Sequence, residues 1–177
     1  NYITAPLVTM LSNGSFAVSW SERNSKYQWS AKYQILNSAW EALPGPIVAA
    51  GYRPGAFISN VKELSNGNIL VISNETLSYG NSYIKYQIFD SKGTARPISS
   101  NILTGNTYGG SIDNVVSLTN GYTAVFWYEL DSSSRYYLKS QLFDTEGKVL
   151  SASPYMLGTA TKGMTGSGSW TVAKMLS

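Results

Sequence analysis

The tetrapeptide Leu11-Ser12-Asn13-Gly14 returns as Leu64-Ser65-Asn66-Gly67 and again as Leu118-Thr119-Asn120-Gly121, 53 and then 54 residues apart. A period of this length marks propellers, solenoids or arrays, in which each unit buries its apolar face against its neighbours. The residues after each turn keep the same phase. Val18, Val71 and Val125 come first, then Trp20, Ser73 and Trp127, then Glu22, Glu75 and Glu129. Further on, Lys32, Lys85 and Lys139 are in register, with Gln34, Gln87 and Gln141 two residues later. The units close on Asn37, Asp90 and Asp144.

Within a unit the periodicity is that of strands. Phe16, Val18 and Trp20 alternate with Ala17 and Ser19, so one face is bulky and the other small. Asn13-Gly14 tolerates positive φ in a two-residue hairpin, which predicts a strand over 5–11, a turn, and a second strand over 15–22. A polar loop at 23–28 leads to a third strand over 29–37. With that loop centred near Lys26, Trp20 falls opposite Lys32, and the same arithmetic puts Trp127 opposite Lys139, Lys stem across Trp ring. A looser turn at 38–46 precedes a short fourth strand at Ile47-Val48, and loop 49–55 hands the chain onward. The second unit repeats the plan over 57–64, 68–75 and 83–90, with Ile98 in its fourth strand. The third uses 111–118, 122–129, 136–144 and 154–157. Residues 170–177 return to the first-strand phase and stop where a fourth Asn-Gly turn is due.

The expected fold is all-β and β-propeller-like, with three four-stranded antiparallel blades of about 53 residues plus a leftover strand. Residues 1–177 form one repeat domain, with repeats at about 5–55, 56–109 and 110–168 and the start of a fourth at about 169–177. A sandwich of twelve or thirteen strands is the alternative, but it would not hold equivalent residues in phase. Propellers have roughly four to eight blades, so three do not close a ring. Further blades of the same chain or a homo-oligomer would complete it, and the uncapped ends favour a piece of a longer chain.

Composition narrows the chemistry. Thirteen Tyr, five Trp and five Phe against 13% charged residues suit pleated sheets and aromatic surfaces. Without Cys there are no disulfides, thiolate ligands or Cys nucleophiles, and without His there is no imidazole ligand and no commonest general base. No metal or cofactor is expected. The 13 basic residues are scattered from Arg23 to Lys174 without a phosphate-tracking run, so the net charge of +3 does not point to nucleic acid. No window approaches the roughly 18 to 20 apolar residues of a membrane span.

The pattern Leu-x-x-Gly-x-x-x-Val-x-Trp, then Lys-x-Gln-Ile/Leu-Phe-Asp and a Gly turn, resembles the tandem blade-type repeats of very large secreted bacterial adhesin-like and haemolysin-type proteins. The resemblance covers nearly the whole chain. It implies an extracellular or cell-surface, non-catalytic role. Ser73 departs from the pattern, and the Gly-Gly-x-Gly-x-Asp calcium nonapeptide is absent, so calcium is not carried over.

Glu22, Glu75 and Glu129 could ring one end and supply the acid and base of glycoside cleavage. A Glu recurring beside a Lys reads as a structural pair, however, and equivalent environments do not separate two carboxyl groups into acid and base. The phased Gln residues are expected to satisfy the backbone of an adjacent blade. Trp20 and Trp127 could stack on sugars, but alternation places them with Val18 and Val125 on a packing face. Tyr52 and Tyr108, on glycine-rich connections, and Trp40, in a turn, are best placed for exposure. The candidate ligand-binding set is therefore Trp40, Tyr52, Tyr108, Trp20, Trp127, Glu22 and Glu129. These features suggest a non-catalytic binding or scaffolding module that takes carbohydrate, rather than an enzyme. A structural segment binding other proteins and a glycosidase using the phased Glu residues are the alternatives.

Overall fold

The computed structural model describes residues 2–43, 47–78, 81–97, 102–104, 109–133 and 135–161. Among these residues there is no helix, and the strands fall into three antiparallel sheets. The first holds β1 (Tyr2–Ile3), β2 (Leu7–Met10), β3 (Phe16–Arg23), β4 (Trp29–Leu36) and β5 (Ile47–Arg53). The second holds β6 (Gly55–Glu63), β7 (Ile69–Ser78) and β8 (Asn81–Phe89). The third holds β9 (Gly109–Ser117), β10 (Thr123–Leu130), β11 (Arg135–Phe143) and β12 (Tyr155–Thr161). Apart from β1 and β2, which both pair with β3, strands of a sheet that follow one another in the chain lie side by side, so each sheet is a meander.

The recurring tetrapeptide closes the first hairpin of every sheet, but not as a two-residue Asn-Gly turn. The Gly14 N–H donates to the Leu11 carbonyl at 3.0 Å, Gly67 to Leu64 at 2.9 Å and Gly121 to Leu118 at 3.0 Å. Positive φ falls on the glycines alone, at 79°, 81° and 82°. That is a type I turn followed by a left-handed residue, a bulged connection whose twist matches the strands it joins. The Asn13 side chain serves the turn differently, accepting from the Ser15 N–H at 2.9 Å.

Cross-strand register agrees with the sequence arithmetic, with Trp20 opposite Lys32 and Trp127 opposite Lys139. Other details differ. The first strand is split, β1 pairing with Glu22 and Arg23 and β2 with residues Phe16 to Ser19. Pro6, which has no N–H for the ladder, stands in the break. The same point in the second and third sheets carries a bulge, at Ser59 and at Asp113. Among the described residues the second sheet has three strands, with Ile102 forming an isolated bridge to Lys85. The strand expected at Ile98 and the leftover strand over 169–177 lie outside the described residues.

The sheets stack face to face in chain order. Ala17, Ala31, Tyr33 and Ile35 of the first bury against Ile58, Val61, Ile69, Val71 and Phe89 of the second. Leu70, Ile72, Ile84, Tyr86 and Ile88, on the other face of the second, bury against Val125, Trp127 and Phe143 of the third. One contact shows that both seams are built alike. Tyr33 meets Phe89 edge-on with ring centroids 4.7 Å apart, and Tyr86 meets Phe143 in the same way at 5.0 Å. Each residue of the second pair lies one repeat after its counterpart in the first.

The turn glycines are not equally demanding. A Cβ on Gly67, at φ +81°, would meet nothing within 4 Å, whereas one on Gly147, at φ +85°, would lie 2.6 Å from Ile88 Cδ1. Gly67→Ala should cost about 1–2 kcal/mol from left-handed strain. Gly147→Ala should add about 1–3 kcal/mol of overpacking at the second seam. Urea denaturation of the two variants measures the difference.

Candidate functional site

The phased glutamates stand near the ends of β3, β7 and β10, and each is held by the lysine of the next strand. Glu22 pairs with Lys32, Glu75 with Lys85 at 3.0 Å, and Glu129 with Lys139 at 2.6 Å. The lysines therefore reach the carboxylates rather than lying across the Trp rings. Trp127 joins its pair by donating its indole N–H to Glu129 Oε1 at 2.9 Å. In the second sheet Ser73 occupies the Trp position and offers no such donor, and Arg53, from β5 of the preceding sheet, reaches Glu75 at 3.3 Å. Each of the three carboxylates is thus ion-paired with the lysine of the next strand.

Glu22 is the most accessible, its side chain 23% exposed against 5% for Glu75 and 10% for Glu129. It also accepts a bond from the Tyr52 hydroxyl at 3.0 Å. The Lys32 ammonium, and then Tyr52, hold its carboxyl below the usual range, while Glu22 in turn pushes the Tyr52 phenol up.

The other candidates scatter. Trp127 is fully buried in the second seam, so it packs rather than binds. Trp20 lies half-buried on the face of the first sheet that points away from the second. Trp40 is exposed at the opposite end of the sheet from Tyr52, stacked on Phe16 at 4.9 Å. Tyr108 lies outside the described residues. The phased Gln residues do not reach an adjacent sheet. Gln34 donates to the Leu43 carbonyl at 2.6 Å, Gln87 to that of Arg96 at 2.8 Å and Gln141 to Ser151 Oγ at 3.1 Å. Each clasps its own chain where it turns back after the third strand.

A second cluster escaped the sequence reading. Arg23, at the end of β3, stands opposite Tyr2 of β1 and Trp29 of β4. Its guanidinium lies 4.9 Å from the Tyr2 ring, 5.0 Å from Tyr27 and 5.5 Å from Trp29. Trp29 packs in turn on Phe57 of β6. Tyr27 closes the β3–β4 hairpin at φ 60°, its N–H donating to the Asn24 carbonyl at 3.1 Å. Gly93 and Gly147 hold the corresponding place in turns led by Asp90 and Asp144. The spacing Asn24-x-x-Tyr27, the same as Asp144-x-x-Gly147, was a signal for the turn at Tyr27 but not for the residues gathered around Arg23. The loop between β10 and β11 is the counterpart in the third sheet. There Asp131 accepts from Arg135 Nε at 2.8 Å and from Tyr137 Oη at 3.0 Å.

No protein-family model and no curated protein matches the chain. Solved structures do resemble it. An endo-arabinase from Bacteroides thetaiotaomicron shares 14% identity at a TM-score of 0.51, covering 84% of this chain and 62% of that one. A mannose phosphorylase from Leishmania mexicana, solved with phosphate ion, shares 13% identity at a TM-score of 0.45, covering 86% and 51%. The chain thus spans less than two thirds of either protein. The first comparison corrects the expectation that the chain is not an enzyme, since the fold it shares is one on which an endo-arabinase is built. Lack of His and Cys is no bar to such chemistry, for glycoside cleavage needs only carboxylates.

Two outcomes are expected. Lys139→Met, which strands the nearly buried Glu129, should cost about 3 kcal/mol, and Lys32→Met, beside the more exposed Glu22, less than about 1 kcal/mol, both by chemical denaturation. Asp131 is held down to about 2, first by the Arg135 N–H and then by the Arg135 side chain. A depressed carboxyl stabilises the loop above its unfolded value of 3.8, and the contribution is lost as pH falls through about 2. Carboxyl NMR should place the Asp131 midpoint there, and Arg135→Gln should raise it.

Proposed function

We propose that the three sheets are blades of a β-propeller, and that the chain contributes a carbohydrate-recognising surface at the end bearing Tyr2, Tyr27, Trp29 and Tyr52. The observation that carries this reading is Tyr27. It is 73% exposed, yet held in a left-handed conformation at a turn position that glycine fills elsewhere. Such strain of about 1–3 kcal/mol persists where the surroundings enforce it, and it concentrates at binding sites. Flat aromatic rings with polar groups beside them are the usual means of holding a sugar, and here Asn24 and Gln28, in the turn that Tyr27 closes, supply polar groups.

The propeller reading is supported by equivalent seams one repeat apart and by the shared fold with an endo-arabinase. The first sheet presents Val18 and Trp20 outward, whereas the equivalents Val125 and Trp127 are covered by the second sheet. Another sheet of this kind, from the same chain or from a second copy, would cover that face. Placement outside the cell or on its surface follows from the resemblance to secreted repeat arrays.

Screening on a glycan array followed by calorimetry tests this function. At least one oligosaccharide should bind, and Tyr27→Ala and Tyr2→Ala should each weaken it about 5- to 30-fold, or ~1–2 kcal/mol. Absence of binding across neutral and acidic glycans would sink the reading.

A further inference from the structure

We infer that Arg23 makes this surface select sugars bearing a carboxylate or sulfate over neutral ones, an inference that rests on the carbohydrate reading above. The guanidinium is cushioned by the rings of Tyr2, Tyr27 and Trp29, and among the described residues no carboxylate pairs with it. The contrast with the rest of the molecule is direct. Arg135, in the counterpart loop of the third sheet, is ion-paired to Asp131 at 2.8 Å. In the first sheet the residue leading that turn is Asn24, a neutral amide whose Oδ1 is taken by the Lys26 and Gln28 N–H groups at 2.9 and 3.0 Å. Arg53, the other guanidinium at this end, is engaged with buried Glu75 at 3.3 Å.

Aromatic contacts cover the faces of a guanidinium and leave its in-plane N–H fork free, and that fork matches a carboxylate or sulfate two bonds at a time. The rings also remove water from one side of the cation, which strengthens its attraction to an incoming anion. Tyr2 and Tyr27 are 67% and 73% exposed, so a sugar ring can lie against them while its anionic group meets Arg23. The strained turn at Tyr27 brings ring and cation together, because a glycine at that position would leave the outer side of Arg23 open to water.

The test uses a matched pair of probes, an oligogalacturonate and its methyl ester, with a sulfated oligosaccharide as third ligand, titrated into the whole chain by calorimetry. The acidic sugars should bind at least 10-fold tighter than the ester. Arg23→Gln should abolish that preference while binding of the ester persists, Arg23→Lys should keep part of it, and Arg135→Gln should leave it intact. Circular dichroism confirms that each variant is folded. Equal affinity for acid and ester, or a preference untouched by Arg23→Gln, would overturn the selectivity and leave carbohydrate binding standing. Binding of none of the three probes, where the array does find a neutral ligand, would overturn the selectivity too. No binding of any sugar would overturn both.

Discussion

The edge-on contact of Tyr33 with Phe89, repeated one unit later by Tyr86 with Phe143, sets how the sheets of this chain relate. In each pair a ring from the third strand of one sheet meets a ring at the end of the third strand of the next. A contact of this kind favours one mutual orientation of the rings, which area burial alone does not. Because side chains alternate, fixing one strand's face decides which residues of its whole sheet look forward and which look back. The Val-x-Trp-x-Glu face of the third sheet accordingly looks back onto the second, and the equivalent face of the first sheet looks outward.

The electrostatics depend on that stacking. A carboxylate facing a neighbouring sheet loses water, and burial of an unpaired charge is far costlier than its pairing is favourable. Each buried glutamate therefore has two donors. Glu129 has Lys139 and Trp127, and Glu75 has Lys85 and Arg53. Loss of the Trp at Ser73 is compensated from across the seam, so one departure from the repeat is explained by a residue in another strand. Glu22, on the outward face, takes Lys32 and Tyr52 from its own sheet.

Much of this was legible in the repeat. The all-β character, the meander within each unit and the Trp-Lys registers all come from period-two alternation and from in-phase residues. The features that escaped depended on chemistry that phase does not record. Asn13-Gly14 suits two kinds of hairpin, and only the hydrogen bond from Gly14 to Leu11 separates them. The Gln side chains could bond across a seam or within a sheet, and the choice rests on where Leu43, Arg96 and Ser151 return. The role of Trp127 as a core residue was visible in its alternation. The cluster around Arg23 was not, because Tyr2, Arg23, Tyr27 and Trp29 share no motif and meet only through the pairing of β1, β3 and β4.

Tyr27 and Trp40 break the same local rule in different surroundings. Both occupy a left-handed position, at φ 60° and 64°; Gly93 and Gly147 fill it in the turns equivalent to that of Trp40, and glycine fills it in the other turns of the same form as that of Tyr27. Trp40 has Phe16 beneath its ring, and the stacking returns part of what the strain costs. Tyr27 has the Arg23 guanidinium against its ring, an exposed cation–π contact worth about 0.5–1 kcal/mol, which does not exceed the strain it accompanies. A fold selected for stability alone would place glycine there. A large exposed aromatic in that position is consistent with the proposed role of Tyr27 in holding a ligand against Arg23.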